Sequence, residues 1–440
     1  MHSLAVYLAF SQAQAADVIW NGHYRMRGQR FDSLSLSDTN PNAEGDATGA
    51  THRLRLQPAF RIHSKLTVFA QFDVLPHTIW GSQSTLNADP TTNAVDNFMS
   101  NIPNSNANFQ ATRTWAQIDT PLGIAKMGRM PVEWGSGMVY NAGNDPLDEF
   151  GDTIDRLQFQ AKIGNTALMV AADSYSEGFI NDSDDSYGIS LAGQYSTERG
   201  NIGVLGLYRT QQSEESSFGV FTADIAGSLT NGPFEADAEV ALHAGSGDLP
   251  GGLDGIDMLA FGVALDARLK LKQMNIGIAT GFAQGDSDPT DKSFTAFQFN
   301  PDHNIGLMMF EEPMPILKAA GEGDDGLGRD LSIARTGYGI SNALYLKPSL
   351  DYHIRPDLSL GTQLIWAFAP SLPEDEGDNS SYGIEIDASV KYTPTPNVNL
   401  SGTIGFFSPG SYYTSFVDQD KGGGFNNAAL GLQFLSAIVF

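Results

Sequence analysis

Cysteine is absent from the 440 residues, which excludes disulfide staples and thiolate metal sites and fits an envelope protein. Although 41% of the residues are hydrophobic, no run of 18 apolar residues occurs, so a spanning helix is excluded. Positive charge is scarce: 25 Lys and Arg stand against 51 Asp and Glu, and the net charge of −26 argues against nucleic acid as a partner. Helical periodicity is nearly missing. So are catalytic fingerprints. There is no G-x-S-x-G, P-loop or dinucleotide motif, and the eight histidines are scattered, His303 among them, so no catalytic residue and no enzyme is expected.

What is present is glycine, 47 residues of it, together with Asn and Ser, as expected where tight turns and loops punctuate many strands. Alternation with period two recurs along the whole chain. In "SYGIEIDASVKY", Tyr382, Ile384, Ile386, Ala388, Val390 and Tyr392 share one face, and Glu385, Asp387 and Lys391 lie on the other. In "DMLAFGVALDARLKLK", Leu259, Phe261, Val263, Leu265 and Leu269 oppose Ala260, Gly262, Ala264, Asp266, Arg268 and Lys270. One face reads as hydrocarbon and the other as wet.

A soluble sandwich alternates as well. Strand number, strand length and loop asymmetry discriminate. Eighteen strands are expected between 18–31 and 424–440, an even number, most of them reaching the ~9–11 residues that a tilted strand needs to cross a bilayer. Short turns such as "HSK" (63–65) and "RPD" (355–357) alternate with long stretches such as 77–108, 133–154 and 285–333. The expectation is an all-β protein, a transmembrane antiparallel β-barrel with short periplasmic turns and long extracellular loops. Because an open sheet edge is not tolerated in lipid, the last strand must pair with the first. Its terminal residues "GLQFLSAIVF" then turn Leu432, Phe434, Ile438 and Phe440 toward acyl chains. At the other end, "LAVYLAF" followed by "SQAQAAD" reads as the remnant of a secretory signal over 1–15, leaving 16–440 as one barrel; a short first strand is the alternative.

Eighteen strands enclose a bore wide enough for water, and conduction is then set by inward side chains and by any loop folded inside. Parity turns Arg25 and Arg27 inward on the first strand, Arg53, Arg55 and Arg61 on the second, and Arg156 and Lys162 on the sixth; Arg129 is added as a basic lining residue. Arg113 has an ambiguous phase, because Trp115 shares its parity. Of the 25 Lys and Arg, 12 fall within the first 162 residues. The acidic lining comprises Asp224, Glu235, Asp237, Glu239, Glu385 and Asp387. In a ring of eighteen, strands ten and eleven stand across from strands one and two, so acids and arginines would set a transverse field. Local neutralisation of the acids by Arg268 and Lys270 is the competing reading. For the arginines, an anion-attracting ladder competes with salt bridges to loop acids.

The loop 133–154 is the candidate constriction, carrying Glu133, Asp145, Asp148, Glu149 and Asp152, with Asp155 just beyond; its glycines, asparagines and proline suit tight bending, and an external loop is the alternative. The loop 285–333 contains "FNPDHNIGLMMF", apolar enough to need burial, and is the candidate lid or plug. Acidic runs at 181–185, 285–291, 321–326 and 373–378 could take Ca²⁺ through carboxylate oxygens, but none has the EF-hand spacing. No other cofactor and no metal site is expected.

The segment "MGRMPVEWGSGMVYNAGNDPLDEFGDTIDRLQFQ" (127–160) resembles part of large Gram-negative porins and alginate-export-like channels, and "FQFNPDHNIGLMMFEEPMP" (297–315) resembles a loop of that group. The terminal strand ending in Phe440 is similar to the signal read by the outer-membrane barrel assembly machinery. The resemblance implies an 18-stranded channel in the bacterial outer membrane, with lipid and lipopolysaccharide around it. It further implies either a homotrimer, as in general porins of this size, or a monomer, as in alginate-export-like barrels. Three functions follow: passive diffusion of small hydrophilic, anion-biased solutes; selective passage of an anionic oligo- or polysaccharide; or a blocked structural or adhesive barrel.

Overall fold

The structure is a computed structural model that describes residues 17–36, 47–79, 109–176, 185–213, 216–249, 253–288, 291–312, 339–372, 379–414, 417–418 and 423–440. The signal-like segment, the acidic runs 321–326 and 373–378, and residues 313–333 of the candidate lid lie outside them.

Eighteen antiparallel strands close into one barrel. They are β1 (Asp17–Asp32), β2 (Ala47–His63), β3 (Leu66–Ile79), β4 (Phe109–Thr120), β5 (Gly123–Pro131), β6 (Thr153–Ile163), β7 (Thr166–Ser176), β8 (Ser186–Thr197), β9 (Gly200–Gln212), β10 (Ser217–Asn231), β11 (Phe234–Leu249), β12 (Leu253–Lys270), β13 (Met274–Ala283), β14 (Ala343–Arg355), β15 (Leu358–Phe368), β16 (Ser381–Thr395), β17 (Val398–Pro409) and β18 (Ala429–Val439). Each pairs with its neighbours in sequence, and β18 returns to β1 from His23↔Val439 to Asp32↔Leu430. Phe440 completes the seam, exchanging backbone hydrogen bonds of 2.9 and 3.0 Å with Gly22. Closure satisfies every ladder position that an open edge would leave bare in hydrocarbon.

The alternation translates directly into an apolar outer face. Leu191, Ile225, Val240, Phe261, Leu346, Ile386, Phe406, Phe434 and Ile438 all stay exposed, a pattern that a soluble fold would bury and a lipid-facing belt requires. At one end, eight connections of two or three residues join the strands. At the other, the chain makes its long excursions.

Several strands run past the limits of the alternation. β2 begins at Ala47 rather than 52, and β11 continues through Leu249 rather than stopping at 244. These extensions are rich in Ala, Gly, Ser and Thr and are carried by backbone pairing beyond the apolar belt, where no lipid selects for one greasy side. Conversely, β18 starts at Ala429, not 424, and β14 at Ala343, not 334.

One part of the wall expected to be wet is dry. Ala260, Ala264, Ala279, Ala283, Ala343 and Ala367 form a floor of small inward side chains, covered by Phe297, Phe299, Ile305, Leu307, Met308 and Met309 from the loop after β13. The bare inward face of Gly262 lies under the Phe297 ring, where a Cβ would meet the ring's far carbon at 3.0 Å. This buried apolar cluster lies inside the barrel.

Candidate functional site

The site begins with a register. Arg25 of β1 stands directly opposite Arg53 of β2, and His23 opposite Arg55. Like charges placed so repel, and the compensation comes from beyond the two strands. Arg55 makes a bidentate pair with Asp73 of β3, 2.8 and 2.9 Å. Arg25 and Arg27 converge on one carboxylate, Glu149, at 2.6 and 2.9 Å. Arg113 on β4 bonds the Gln71 amide oxygen, the Ala142 carbonyl and the Thr153 hydroxyl.

The ambiguity at Arg113 resolves with a bulge. Gln71 pairs with Arg113 but Phe72 pairs with Ala111, so one residue of β4 is extra and the phase flips. Arg113 and Trp115 therefore both face the lumen, and Trp115 stacks on Phe69 at 4.8 Å.

The loop between β5 and β6, residues 132–152, lies inside the barrel and spans the two charged walls. Its first half offers donors to the acidic wall. Ser136 N–H and Oγ–H (2.6 and 2.9 Å) and the N–H groups of Met138 (3.2 Å) and Val139 (3.1 Å) all reach the Glu239 carboxylate, while Trp134 Nε1 donates to Asp224 at 2.9 Å. Its second half offers acceptors to the basic wall. Arg55 reaches the Gly143 carbonyl (2.6 Å) and Arg53 the Asp148 carbonyl (2.9 Å), while Arg25 faces the carbonyls of Pro146, Leu147 and Asp148 at 3.3–3.5 Å. Opposite fixed charges thus bind opposite poles of one peptide chain.

The loop after β13 locks onto the first. Glu385 of β16 accepts the consecutive N–H groups of Leu307, Met308 and Met309 at 2.6–2.9 Å, an anion in a backbone nest. Asp387 accepts from the Gln363 amide at 2.8 Å. Between the loops, Asp302 accepts Glu149 N–H at 2.8 Å, and Asn300 donates to Asp152 at 2.6 Å. Gln29 of β1 donates to Glu312 at 3.0 Å.

Burial shifts the loop acids. It pushes the Asp148 and Asp152 carboxyls up to about 6, against the N–H groups of Asp145 and Asn141 that favour the charged forms. It pushes Glu312 up to about 7, opposed by Arg27. Burial also lowers His303 to about 4, so its ring, 3.3 Å from the Tyr345 hydroxyl, is neutral at neutral pH.

Several expected positions differ. By register Arg129 and Asp155 fall on the face of Leu157 and pair with each other at 2.6 Å, both side chains about half exposed, yet both also border the cavity lined by Arg53, Arg55 and Arg113. The register explains the pairing, since Gly128 lies opposite the inward Arg156 and Arg129 opposite Asp155. Asp155 therefore belongs neither to the constriction loop nor to an arginine–acid bridge across the pore. Glu133 and Asp145 are exposed. Asp148 meets Arg53 with its backbone carbonyl, not its carboxylate. Arg61 and Lys162 lie in the lumen near the short turns, exposed. Glu235 pairs with Lys270 at 2.7 Å, and Asp237 stands opposite Asp266. Local neutralisation thus holds near the short turns, whereas Asp224 and Glu239, deeper in the wall, serve the loop.

Other lumen groups were missed. Asp173 holds Arg156 at 2.5 and 2.8 Å, and Arg209 lies 4.3 Å above the Tyr175 ring. Lys126 and Lys347 point inward as well. For Asp173 parity was a sufficient signal, since Leu168, Val170 and Ala172 alternate against it, whereas the strand of Lys126, Gly123–Pro131, does not alternate cleanly.

Arg53, Arg55, Arg113, Asp73, Glu149 and Tyr175 line a water-accessible cavity of about 770 Å³. Arg129 and Asp155 border it as well, and Arg25 and Arg27 stand behind Glu149, whose carboxylate both bind.

No protein-family model and no curated protein sequence matches the chain. Its fold is that of solved outer-membrane channels. A BenF-like porin from Pseudomonas fluorescens Pf-5 aligns with a TM-score of 0.55 at 14% identity, over 96% of this chain and 98% of that one. OpdK of Pseudomonas aeruginosa, solved with vanillate, aligns at 0.52 and 13%, and OccK9 (OpdG) of the same organism at 0.51 and 12%, each over 96% of this chain and 98% of its own.

Proposed function

We propose that the chain is a porin of the bacterial outer membrane, passing small hydrophilic anions passively through a water-filled lumen narrowed by two inner loops. The fold and the apolar outer belt support the membrane placement. The guanidiniums carry the selectivity: Arg53, Arg55, Arg113 and Arg129 line the cavity with the carboxylates of Asp73, Glu149 and Asp155, and Arg25 and Arg27 stand behind Glu149. Arginine keeps its charge across the physiological range, so the bias is permanent. A cavity of about 770 Å³ suits a compact solute better than a polymer, which favours small anions over an anionic polysaccharide. Vanillate, the ligand in the OpdK structure, is a suitable first probe.

The test is the reversal potential of single channels in a KCl gradient. The wild type should favour chloride, and Arg53→Ser with Arg61→Ser should reduce that preference several-fold. Arg53 is the informative choice, because Arg55 cannot be removed without stranding the buried Asp73. A silent bilayer would point to the blocked barrel, and an unchanged reversal potential would defeat the anion bias while leaving the fold intact.

A further inference from the structure

Within the first inner loop, residues 144–150 form a finger pinched off at its base. Gly143 and Gly151 pack against each other there, both in left-handed conformations, φ 62° and 93°. A Cβ on Gly151 would meet the Ala142 carbonyl at 2.8 Å and the Gly143 Cα at 3.0 Å, so the neck demands glycine. Outside the neck the loop is firmly held. Asp152 N–H bonds the Asn141 carbonyl at 2.6 Å, and Asp152 N–H and carboxylate contacts, Glu239 and the second loop secure the rest.

The finger is held mainly by charge. Its carbonyls at 146 and 147 reach Arg25 at 3.3 and 3.5 Å, its Asp148 carbonyl accepts from Arg53, and the Glu149 and Phe150 N–H groups meet Asp302. The short contacts to Arg25 and Arg27, 2.6 and 2.9 Å, belong to the Glu149 carboxylate. Glu149 also lines the cavity beside Arg53, whose Nε has no hydrogen-bond partner among the described residues.

We propose that Glu149 is a tethered competitor for the permeating anion: its carboxylate occupies the Arg25–Arg27 pair at rest, and a carboxylate solute entering the cavity exchanges with it and frees the finger. This rests on the anion-porin reading and adds a specificity-determining residue to it. The exchange is chemically balanced, one carboxylate for another on the same two guanidiniums, with planar two-oxygen geometry preserved. Glu149 itself is not left buried, since its carboxylate swings toward the cavity that it already lines. The two-glycine neck supplies the rotation, and the base of the loop need not move. A charge that screens its own site in this way makes the pore selective for solutes able to displace it.

The absence of native cysteine allows a direct readout. Leu147→Cys places a single thiol on the finger at an exposed side chain, which can carry an environment-sensitive fluorophore in detergent-solubilised protein. Sodium acetate should shift its emission saturably, and sodium chloride at equal ionic strength should shift it several-fold less. Glu149→Gln should start at the acetate-shifted value and lose the response; Glu149→Asp should restore a response. Equal shifts by acetate and chloride would mean simple screening and overturn the proposal. So would an unmoved baseline in Glu149→Gln, or no acetate response in the parent. Because the fluorescence does not depend on conduction, a silent bilayer would sink the porin reading and leave this result to stand or fall alone.

Discussion

At the scale of the residue, lumen charges act as structural ties before they act on solute. Arg156 and Asp173 are both nearly inaccessible and joined through two short bonds, with Ser190 donating to the same carboxylate at 2.9 Å. Arg156→Ala leaves a buried carboxylate without its cation, a loss of about 3–5 kcal/mol. The heat-modification midpoint of the barrel on SDS gels should fall accordingly, and the double variant with Asp173→Ala should recover most of the loss. A double variant no better than the single one would show that the pair is not the source of the stability. Parity made this kind of residue legible: Arg53, Arg55, Glu239 and Glu385 were assigned inward from alternation alone. Arg129 escaped because its strand, "GIAKMGRMP", has no clean alternation, so only cross-strand register could place it.

At the scale of the element, the two inner loops behave as one interlocked unit with a built-in pH dependence. Asp148 and Asp152 near 6, and Glu312 near 7, lie above the usual carboxylate range because docking buries them. A raised carboxyl in the docked state means that protons favour docking. The stabilisation is complete below the solvated value of about 4 and is lost as pH rises through about 6 to 7. The groups facing these acids are Arg53, Asp145 and Asp302 around Asp148; Arg113, Asn141, Asn300 and Asp302 around Asp152; and Arg27, Gln29, Glu149 and Glu311 around Glu312. Closed intervals in single-channel records should therefore lengthen between pH 8 and pH 5. Lengthening in the alkaline direction would contradict the sign. Composition identified both loops as candidates, yet their anchors were not legible. Glu239 accepts from residues about 100 positions away, and no local pattern encodes such a meeting.

At the scale of the whole molecule, the greasy halves of eighteen strands meet lipid and the charged halves meet water or the inner loops. Phe434 lies at mid-strand opposite Gly28 and Gly402, and is exposed. Phe434→Arg should destabilise the barrel by about 2–4 kcal/mol if it sits near the bilayer midplane, read as a shift in the urea midpoint in lipid vesicles. Tolerance of that arginine would mean that this face does not contact hydrocarbon.

The sequence by itself determined the strand number, the lipid-facing parity, the excess of arginine in the first third and the closing of β18 on β1. Each follows from a period of two and from the demand that every backbone polar group in hydrocarbon be paired. The tertiary structure alone decided which charges face solute and which are spent on the chain itself. The alanine floor beneath Phe297, the phase flip at Arg113, the outward turn of Arg129 and the capture of Glu149 all depend on register and on loops returning across the bore. Those contacts join residues far apart in sequence, and their energies exist only once the cylinder has closed.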